Sequence, residues 1–411
     1  MSTPAKRKAE SPAPGSSPQP KPAPAGLASP TPASPERAST GPASPKAAST
    51  GPSTPGPASP KKASGASSPA AEVDTSDALT GAHWLEQEEL ERSEDADSSL
   101  GSDAESSTAS VASSIFAYRT ILGRTYHSDA ATSTEYWAPN DDRHLDSLEI
   151  YYHGVELLND FKLHMSPLKD DIERVLDIGT GKGYWAIDFA DKFPNCEVIG
   201  TDISPVQPSW VPPNVRFEID DASKPWTYAP NSFDLVHIRF LVGAIEDWDA
   251  LYREAYKACK PGGWIEHYDH SPVVTSDDGS VKPGSALDTY GKLLAKAARK
   301  IGRDATLADN DTMEEGMKAA GFVNVQTKRM KMPLSPWSAD KRLNDVGAYA
   351  RATLNDDVEG VIQFLFSTVL GWTQEEINAF GSRVRRELLD MSIHGYYHWK
   401  YVWAQKPEDA E

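Results

Sequence analysis

Three glycines and one acid carry the most legible chemistry in this chain. Gly179, Gly181 and Gly183 follow an apolar run, residues 174–178, and lead into an amphipathic stretch. Lacking side chains, they let a ligand approach the backbone closely. A second apolar run ends in Asp202. It lies about twenty residues beyond the glycines, where a carboxylate at a strand tip can bind ribose hydroxyls. A dinucleotide fingerprint spaces its glycines G-x-G-x-x-G, because a pyrophosphate needs the helix N-terminus. Here the third glycine comes one residue early, and bulky Tyr184 and Trp185 follow it. No Gly-Lys-Ser/Thr ends the turn, which excludes a P-loop. An adenosine ligand with a ribose and no pyrophosphate fits, and S-adenosylmethionine is the expected cofactor.

The surrounding elements must position these residues. Residues 214–222 read as a third strand ending in acids, with Asp221 and Ala222 where an adenine amino group would be met. Residues 233–238 read as a fourth strand. A helix then runs to Lys260-Pro-Gly-Gly263, a sharp turn into a fifth strand over 264–269. Strands alternating with helices at this spacing imply a parallel sheet with ligands at the carboxyl ends of its strands. The expected cofactor-binding residues are Asp177, Gly179, Gly181, Gly183, Asp202, Ile203, Asp221 and Ala222. A sulfonium methyl is already activated, so alignment and exclusion of water are most of what a protein must add. A hydroxyl or amine acceptor would gain from a general base. His237 at the end of the fourth strand is the expected catalytic residue, with Glu266 and His267 as further candidates. The alternative for each is a structural residue capping a strand.

The order of these motifs resembles class I S-adenosylmethionine-dependent methyltransferases. The wording of residues 200–222, Asp188-Phe-Ala, His237-Ile-Arg-Phe-Leu241, Gly123-Arg-Thr-Tyr-His127, Pro139-Asn-Asp141 and Pro261-Gly-Gly-Trp-Ile-Glu-His267 is similar to the fungal LaeA-like methyltransferases. The resemblance covers roughly residues 115–407. It implies a Rossmann-like α/β fold, with a seven-stranded sheet carrying a helical lid and cap. It also implies a nuclear regulator of secondary metabolism and development that works with velvet-family proteins. The wider group implies an alternative, a biosynthetic methyltransferase acting on a small secondary metabolite. A non-catalytic scaffold with the same fold is a third reading. Two positions depart from the family's pattern. Lys182 stands in the glycine turn where a smaller residue is usual, and is expected to face solvent. Tyr151-Tyr152-His153 replaces paired histidines near the end of the lid helix.

Composition divides the 411 residues unevenly. Residues 1–112 are dominated by Pro, Ala, Ser, Gly and Thr, with an acidic stretch over 84–105. Such a segment cannot bury enough apolar surface to offset its conformational entropy, so a disordered tail and linker is expected. Within it, 83–92 could form a transient helix, although a solvated linker is the stronger expectation. Residues 113–407 are expected to form the methyltransferase domain, with a lid over 118–167 and a core over 172–335. A helical cap over 340–393 follows, and then a last antiparallel strand over 396–404. Arg124, Tyr126 and His127 are expected in a helix of the lid. The cap falls on the substrate side of the cleft and is expected to shape substrate choice.

The tail has its own pattern. The segment 33–42 repeats almost at once over 43–52, and Ser-Pro or Thr-Pro dipeptides recur before residue 70. Each is a minimal site for proline-directed kinases, Ser34 and Ser59 being the best two, and phosphorylation would turn a mildly basic stretch acidic. An unmodified spacer is the alternative. Lys6-Arg7-Lys8 could serve nuclear import, so the nucleus is expected and the cytoplasm is the alternative. The net charge of −19 argues against direct nucleic-acid binding. Cys196 and Cys259 read as buried thiols of a reducing compartment. Neither a metal-ligand spacing nor a membrane-length apolar run is found in the sequence, so a soluble intracellular protein without a metal is expected.

Overall fold

The computed structural model describes residues 78–92 and 114–410. The Ser-Pro repeats, Lys6-Arg7-Lys8 and the rest of the expected tail lie outside the described residues. The first element is helix α1, Gly81–Arg92, followed by a hairpin of β1, Arg119–Ile121, and β2, Arg124–Tyr126. The lid helix α2, Asp142–Leu158, precedes β3, Arg174–Ile178. Then come α3, Tyr184–Lys192; β4, Glu197–Asp202; β5, Val215–Ile219; and β6, Phe233–Arg239. Helix α4, Trp248–Ala258, leads into β7, Cys259–Thr275, and α5, Ala286–Lys300. The chain closes with α6, Thr312–Ala320; β8, Val323–Pro333; α7, Lys341–Phe364; α8, Gln374–Leu389; and β9, Tyr396–Gln405.

The expected seven-stranded sheet has the order β5-β4-β3-β6-β7-β9-β8. Strands β5 to β7 are parallel, and β9 inserts antiparallel to both β7 and β8. The parallel strands read as near-continuous apolar runs because helices cover both of their faces. Leu176, Ile178, Val236 and Ile238 pack on the α4 side, with Leu251, Tyr252 and Ala255. Val175, Val198 and Leu235 pack on the other side, against Trp185, Ala186 and Phe189 of α3. The register sets Asp177 of β3 between Gly200 of β4 and His237 of β6. The tips of β3 to β6 therefore open at one level, beneath α2.

Two segments differ from the sequence expectation. Arg124 and Tyr126 lie in a β-hairpin rather than a helix, with His127 just beyond it. The cause is the two-residue turn Leu122-Gly123, with φ of +48° and +79°, the left-handed pair that matches the twist of a tight hairpin. The second is α1, which forms and docks instead of remaining a solvated linker. Its Trp84 is buried, with its ring 5.1 Å from Phe380 of α8. Phe366 and Trp372 stand around the same Phe380 ring, and Glu88 bonds Arg386. A local reading sees the acids of α1 but not the aromatic groove that receives its one tryptophan.

A buried ion cluster ties hairpin, lid and cap together. The Asp357 carboxylate lies at a kink in α7, with non-helical φ of −138° and ψ of 47°. Arg124 of β2 donates to it from Nη1 at 2.8 Å and from Nη2 at 2.9 Å. The same guanidinium reaches Asp141, the N-cap of α2, at 2.6 and 2.8 Å. His144 Nδ1, one turn into α2, is 3.0 Å from Asp357 Oδ2. Burial pushes the Asp357 carboxyl up, but His144 and Arg124 outweigh it and hold it far below the usual range.

Asp357→Asn should therefore cost about 3 kcal/mol of stability at pH 7, because it leaves Arg124 and His144 facing an uncharged group in a buried site. A carboxyl whose folded pKa is depressed stabilises fully above its unfolded value, and that contribution fades progressively as pH falls from there to the much lower folded value. Urea midpoints of the two proteins should thus differ most near neutrality and begin to converge below about pH 4. A difference that is unchanged at pH 3 would refute this account.

Candidate functional site

The turn after β3 is shaped by its glycines and held from behind. Gly179 has φ of +70°, and a Cβ there would lie 2.5 Å from Leu241 Cδ2. Gly181 has φ of +56°, and a Cβ there would meet no protein atom within 4 Å. The space it would enter is a cavity of about 180 Å³ over the strand tips. Asp177 supports the turn by accepting from Thr180 Oγ1 at 2.6 Å, while its other oxygen is 2.8 Å from His237 Nδ1.

The cavity is chemically polarised along the sheet. Gly179, Gly181, Asp202, Ile203, Asp221 and Ala222 line it, whereas Asp177 and Gly183 stand behind the wall. Asp202 at the β4 tip accepts from Gly181 N at 2.8 Å and from Ser204 N at 2.9 Å. Each oxygen so fixed keeps a lone pair for a ligand hydroxyl. Burial pushes this carboxyl above the usual range, despite the backbone N–H bonds that pull it down. Asp221, beyond the β5 tip, accepts from Thr132 and Thr134 hydroxyls at 2.6 Å each, which pins that loop over the acidic end. Burial raises the Asp221 carboxyl, but these hydroxyl bonds and the N–H of Ser223 leave it lower than usual. At the other end, past the glycine turn, the cation Arg239 closes the β6 tip, 3.2 Å from Glu156 and 4.7 Å over the Tyr152 ring. Acids that accept from hydroxyls and amines at one end and a cation at the other suit an adenosine with an amino-acid tail. S-adenosylmethionine has this polarity: its ribose side would meet Asp202 and its carboxylate Arg239.

The lid contributes residues that short motifs do not reveal. Leu145, Leu148, Tyr151, Tyr152 and Val155 of α2 form the roof, one helical face turned inward. Lys182, expected to face solvent, instead lines the cavity and lies 3.6 Å from both Asp146 and Glu149 of the lid. Tyr184 reinforces this join, donating to Glu149 at 2.5 Å. His153 points outward, so of the Tyr151-Tyr152-His153 triplet only the tyrosines reach the site. Arg239 could have been found from sequence as a basic residue ending an apolar strand. Tyr151 could have been found from the helical period of α2.

The expected base is placed differently. His237 is 1% exposed, stacked at 3.6 Å and 3° on Trp185, and joined to Asp177. It does not line the cavity, and burial, only partly offset by Asp177, lowers its pKa. The geometry corrects its role from proton acceptor to support for the Asp177 side of the turn. Glu266 accepts from Met165 N at 2.8 Å and from Tyr401 at 2.5 Å, and it also binds Ser166. His267 is stacked on Trp248 and 2.8 Å from the Tyr252 hydroxyl. Both tie the core together and lie away from the cavity. Among the described residues no group of His, Cys, Asp and Glu side chains could hold a metal ion, and no helix is long and apolar enough to cross a membrane.

Comparison with known proteins agrees with this geometry. Residues 151–327 match the family described as a methyltransferase domain. Over 307 residues the chain is 38% identical to methyltransferase pytC of Aspergillus terreus, covering 74% of this chain and 93% of that protein. It is 32% identical to secondary metabolism regulator LAE1 of Cochliobolus heterostrophus over 292 residues, covering 70% and 94% respectively. It is also 33% identical over 271 residues to probable methyltransferase tdiE of Emericella nidulans, covering 65% and 84%.

Asp202→Ala should weaken binding of S-adenosylhomocysteine by about 10- to 100-fold, the worth of hydrogen bonds to a charged group. Calorimetric titration reads this directly. Affinity within threefold of wild type would remove Asp202 from the site.

Proposed function

The chain belongs to the LaeA-like S-adenosylmethionine-dependent methyltransferases, and we propose that it methylates a small acceptor enclosed beneath its lid in secondary metabolism. The observation that carries this is the roof. Tyr151, Tyr152 and Val155 of α2 cover the cavity, and Lys182 and Tyr184 fasten the glycine turn to the same helix. An apolar roof of this kind helps to exclude water from the reacting centre. The cofactor supplies an activated methyl on a sulfonium when bound. Asp202 and Arg239 then orient it from its two ends, and the lid positions the nucleophile. The relative pytC is named a methyltransferase and tdiE a probable one, which favours an enzyme over a scaffold.

A second reading, a nuclear regulator, is favoured by a different observation. The Ser-Pro repeats and Lys6-Arg7-Lys8 precede the domain, and LAE1 is named a secondary metabolism regulator. Proline-directed kinases acting on the tail and a velvet-family protein are the partners proposed under this reading, with the nucleus as its location. The two readings are compatible if the methylated molecule is itself a signal.

Incubating the full chain and methyl-labelled S-adenosylmethionine with an extract of a producing fungus separates the possibilities. Label is expected in the low-molecular-mass fraction and absent from protein. Label confined to protein would overturn the small-acceptor reading. For location, replacing Lys6, Arg7 and Lys8 by alanine in a fluorescently tagged chain should shift it from nucleus to cytoplasm. An unchanged distribution would remove that cluster as the import signal.

A further inference from the structure

A second cavity, of about 70 Å³, adjoins the first and shares several of its lining side chains. Tyr136, Leu148, Tyr151 and Phe240 line both cavities, so the two meet at these side chains. Phe240 follows β6 with φ of +58°, a left-handed backbone that a bulky residue adopts only under strong local constraint and that often marks ligand sites. In that conformation its ring stacks on His270 at 5.2 Å and 16° and lies 5.1 Å from Tyr151. His270 stacks in turn on Trp399, at 4.8 Å and 20°. The remaining walls are mostly apolar side chains of α2, α5, α7 and the loops around 137 and 242, among them Leu294 and Leu354, with His144, Ser147 and Thr353 as polar members.

Two polar groups in this aromatic setting are unfinished. Tyr151 Oη and His270 Nδ1 are buried with no hydrogen-bond partner. An unpaired buried polar group costs about 1–3 kcal/mol, and one left so in a native site calls for an explanation. His270 Nδ1 is 3.7 Å from Asp269 Oδ1, a separation that a modest ring movement closes into a hydrogen bond. Asp269 is itself fixed, accepting from Leu241 N at 3.0 Å and from His270 N at 2.9 Å. A carboxylate behind an imidazole sets its tautomer and leaves the other nitrogen free to take a proton, and such contacts are often long before substrate binds.

We propose that this second cavity is the acceptor site, that it takes a flat, largely apolar phenol or enol, and that His270, oriented by Asp269, receives the acceptor's hydroxyl proton. The proposal rests on the small-acceptor reading above and adds the acceptor's chemical class and the base. The aromatic walls favour a planar acceptor, and Tyr151 Oη offers the hydroxyl a hydrogen bond. The transfer balances: the acceptor oxygen forms a bond to the methyl carbon, and the methyl–sulfur bond breaks with its electron pair going to sulfur. The hydroxyl proton passes to His270 and then to solvent. The groups that face His270 are Asp269 on its own strand, Phe240 after β6, Tyr151 from α2, and Tyr397 and Trp399 from β9.

The test uses the full chain with S-adenosylhomocysteine and 4-nitrophenol, whose ionised form has its own visible absorption. The probe is expected to bind and to ionise at lower pH than it does in free solution. Leu294→Trp, which fills the cavity, should weaken probe binding at least tenfold while leaving S-adenosylhomocysteine binding intact. Ala305→Leu, which lines the same cavity, replaces it if the tryptophan disturbs folding. His270→Asn should keep affinity for the neutral probe, read well below the pH at which it ionises, within threefold but return its ionisation to the free-solution pH, a shift that a purely structural role would not produce. Nitrobenzene should bind at least tenfold more weakly than 4-nitrophenol. The proposal is overturned if the probe fails to bind the loaded protein, if the filled variants bind it as wild type does, or if His270→Asn leaves its ionisation unchanged. Failure of S-adenosylhomocysteine itself to bind would instead sink the methyltransferase reading.

Discussion

The Asp357 carboxylate is the constraint on which the architecture above the sheet depends. It is buried, it breaks the helical path of α7, and it holds Arg124 and His144 at 2.8 and 3.0 Å. A buried charge is tolerated only when its partners are fixed. The hairpin, the start of the lid and the kinked cap must therefore assemble together. Thr353 and Leu354 before the kink and Val361 and Leu365 after it all line the second cavity. Outside the cap, α1 seats Trp84 against Phe380 of α8, so the acidic segment ahead of the domain is bound to the cap that shapes this cavity.

Beneath the lid, the same economy governs the glycine turn. Its backbone needs left-handed conformations at Gly179 and Gly181, which cost little for glycine but leave the turn without side chains to anchor it. Asp177 supplies the anchor through Thr180, and His237 and Trp185 pack behind Asp177 in a stacked pair. From above, Lys182 and Tyr184 join the turn to Glu149. The turn is thus clamped on both sides, and a ligand meets a surface already organised to receive it. Such preorganisation is what a reaction limited by alignment requires.

Histidines show how far residue type alone can mislead. His237 lies near the carboxyl end of β6, with His267 alongside that end and His270 just past it on the neighbouring β7, and each could be a base on that ground. Only packing distinguishes them. His237 is sealed against Trp185, and His267 is held by Tyr252 and Trp248. His270 alone of the three borders a cavity. The parity of the strand sends alternate residues to opposite faces, and β7 carries a register irregularity between His270 and Val274 that no local pattern announces.

The sequence by itself determined the parallel half of the fold and the cofactor. Continuous apolar runs at βα spacing, a glycine turn without a phosphate signature and Asp202 at the next strand tip are local features whose physics is local. So were the last antiparallel strand and the helical nature of the cap. Tertiary structure alone decided the hairpin at Arg124, the docking of α1, the turn of Lys182 toward the lid and the choice among the histidines. Each of these is settled by a partner far away in the chain: Asp357 for Arg124, Phe380 for Trp84, Glu149 for Lys182. Periodicity and motif spacing report what a segment prefers. They cannot report which distant side chain completes a buried charge or fills an aromatic groove, and in this protein those completions place the lid, the cap and the second cavity.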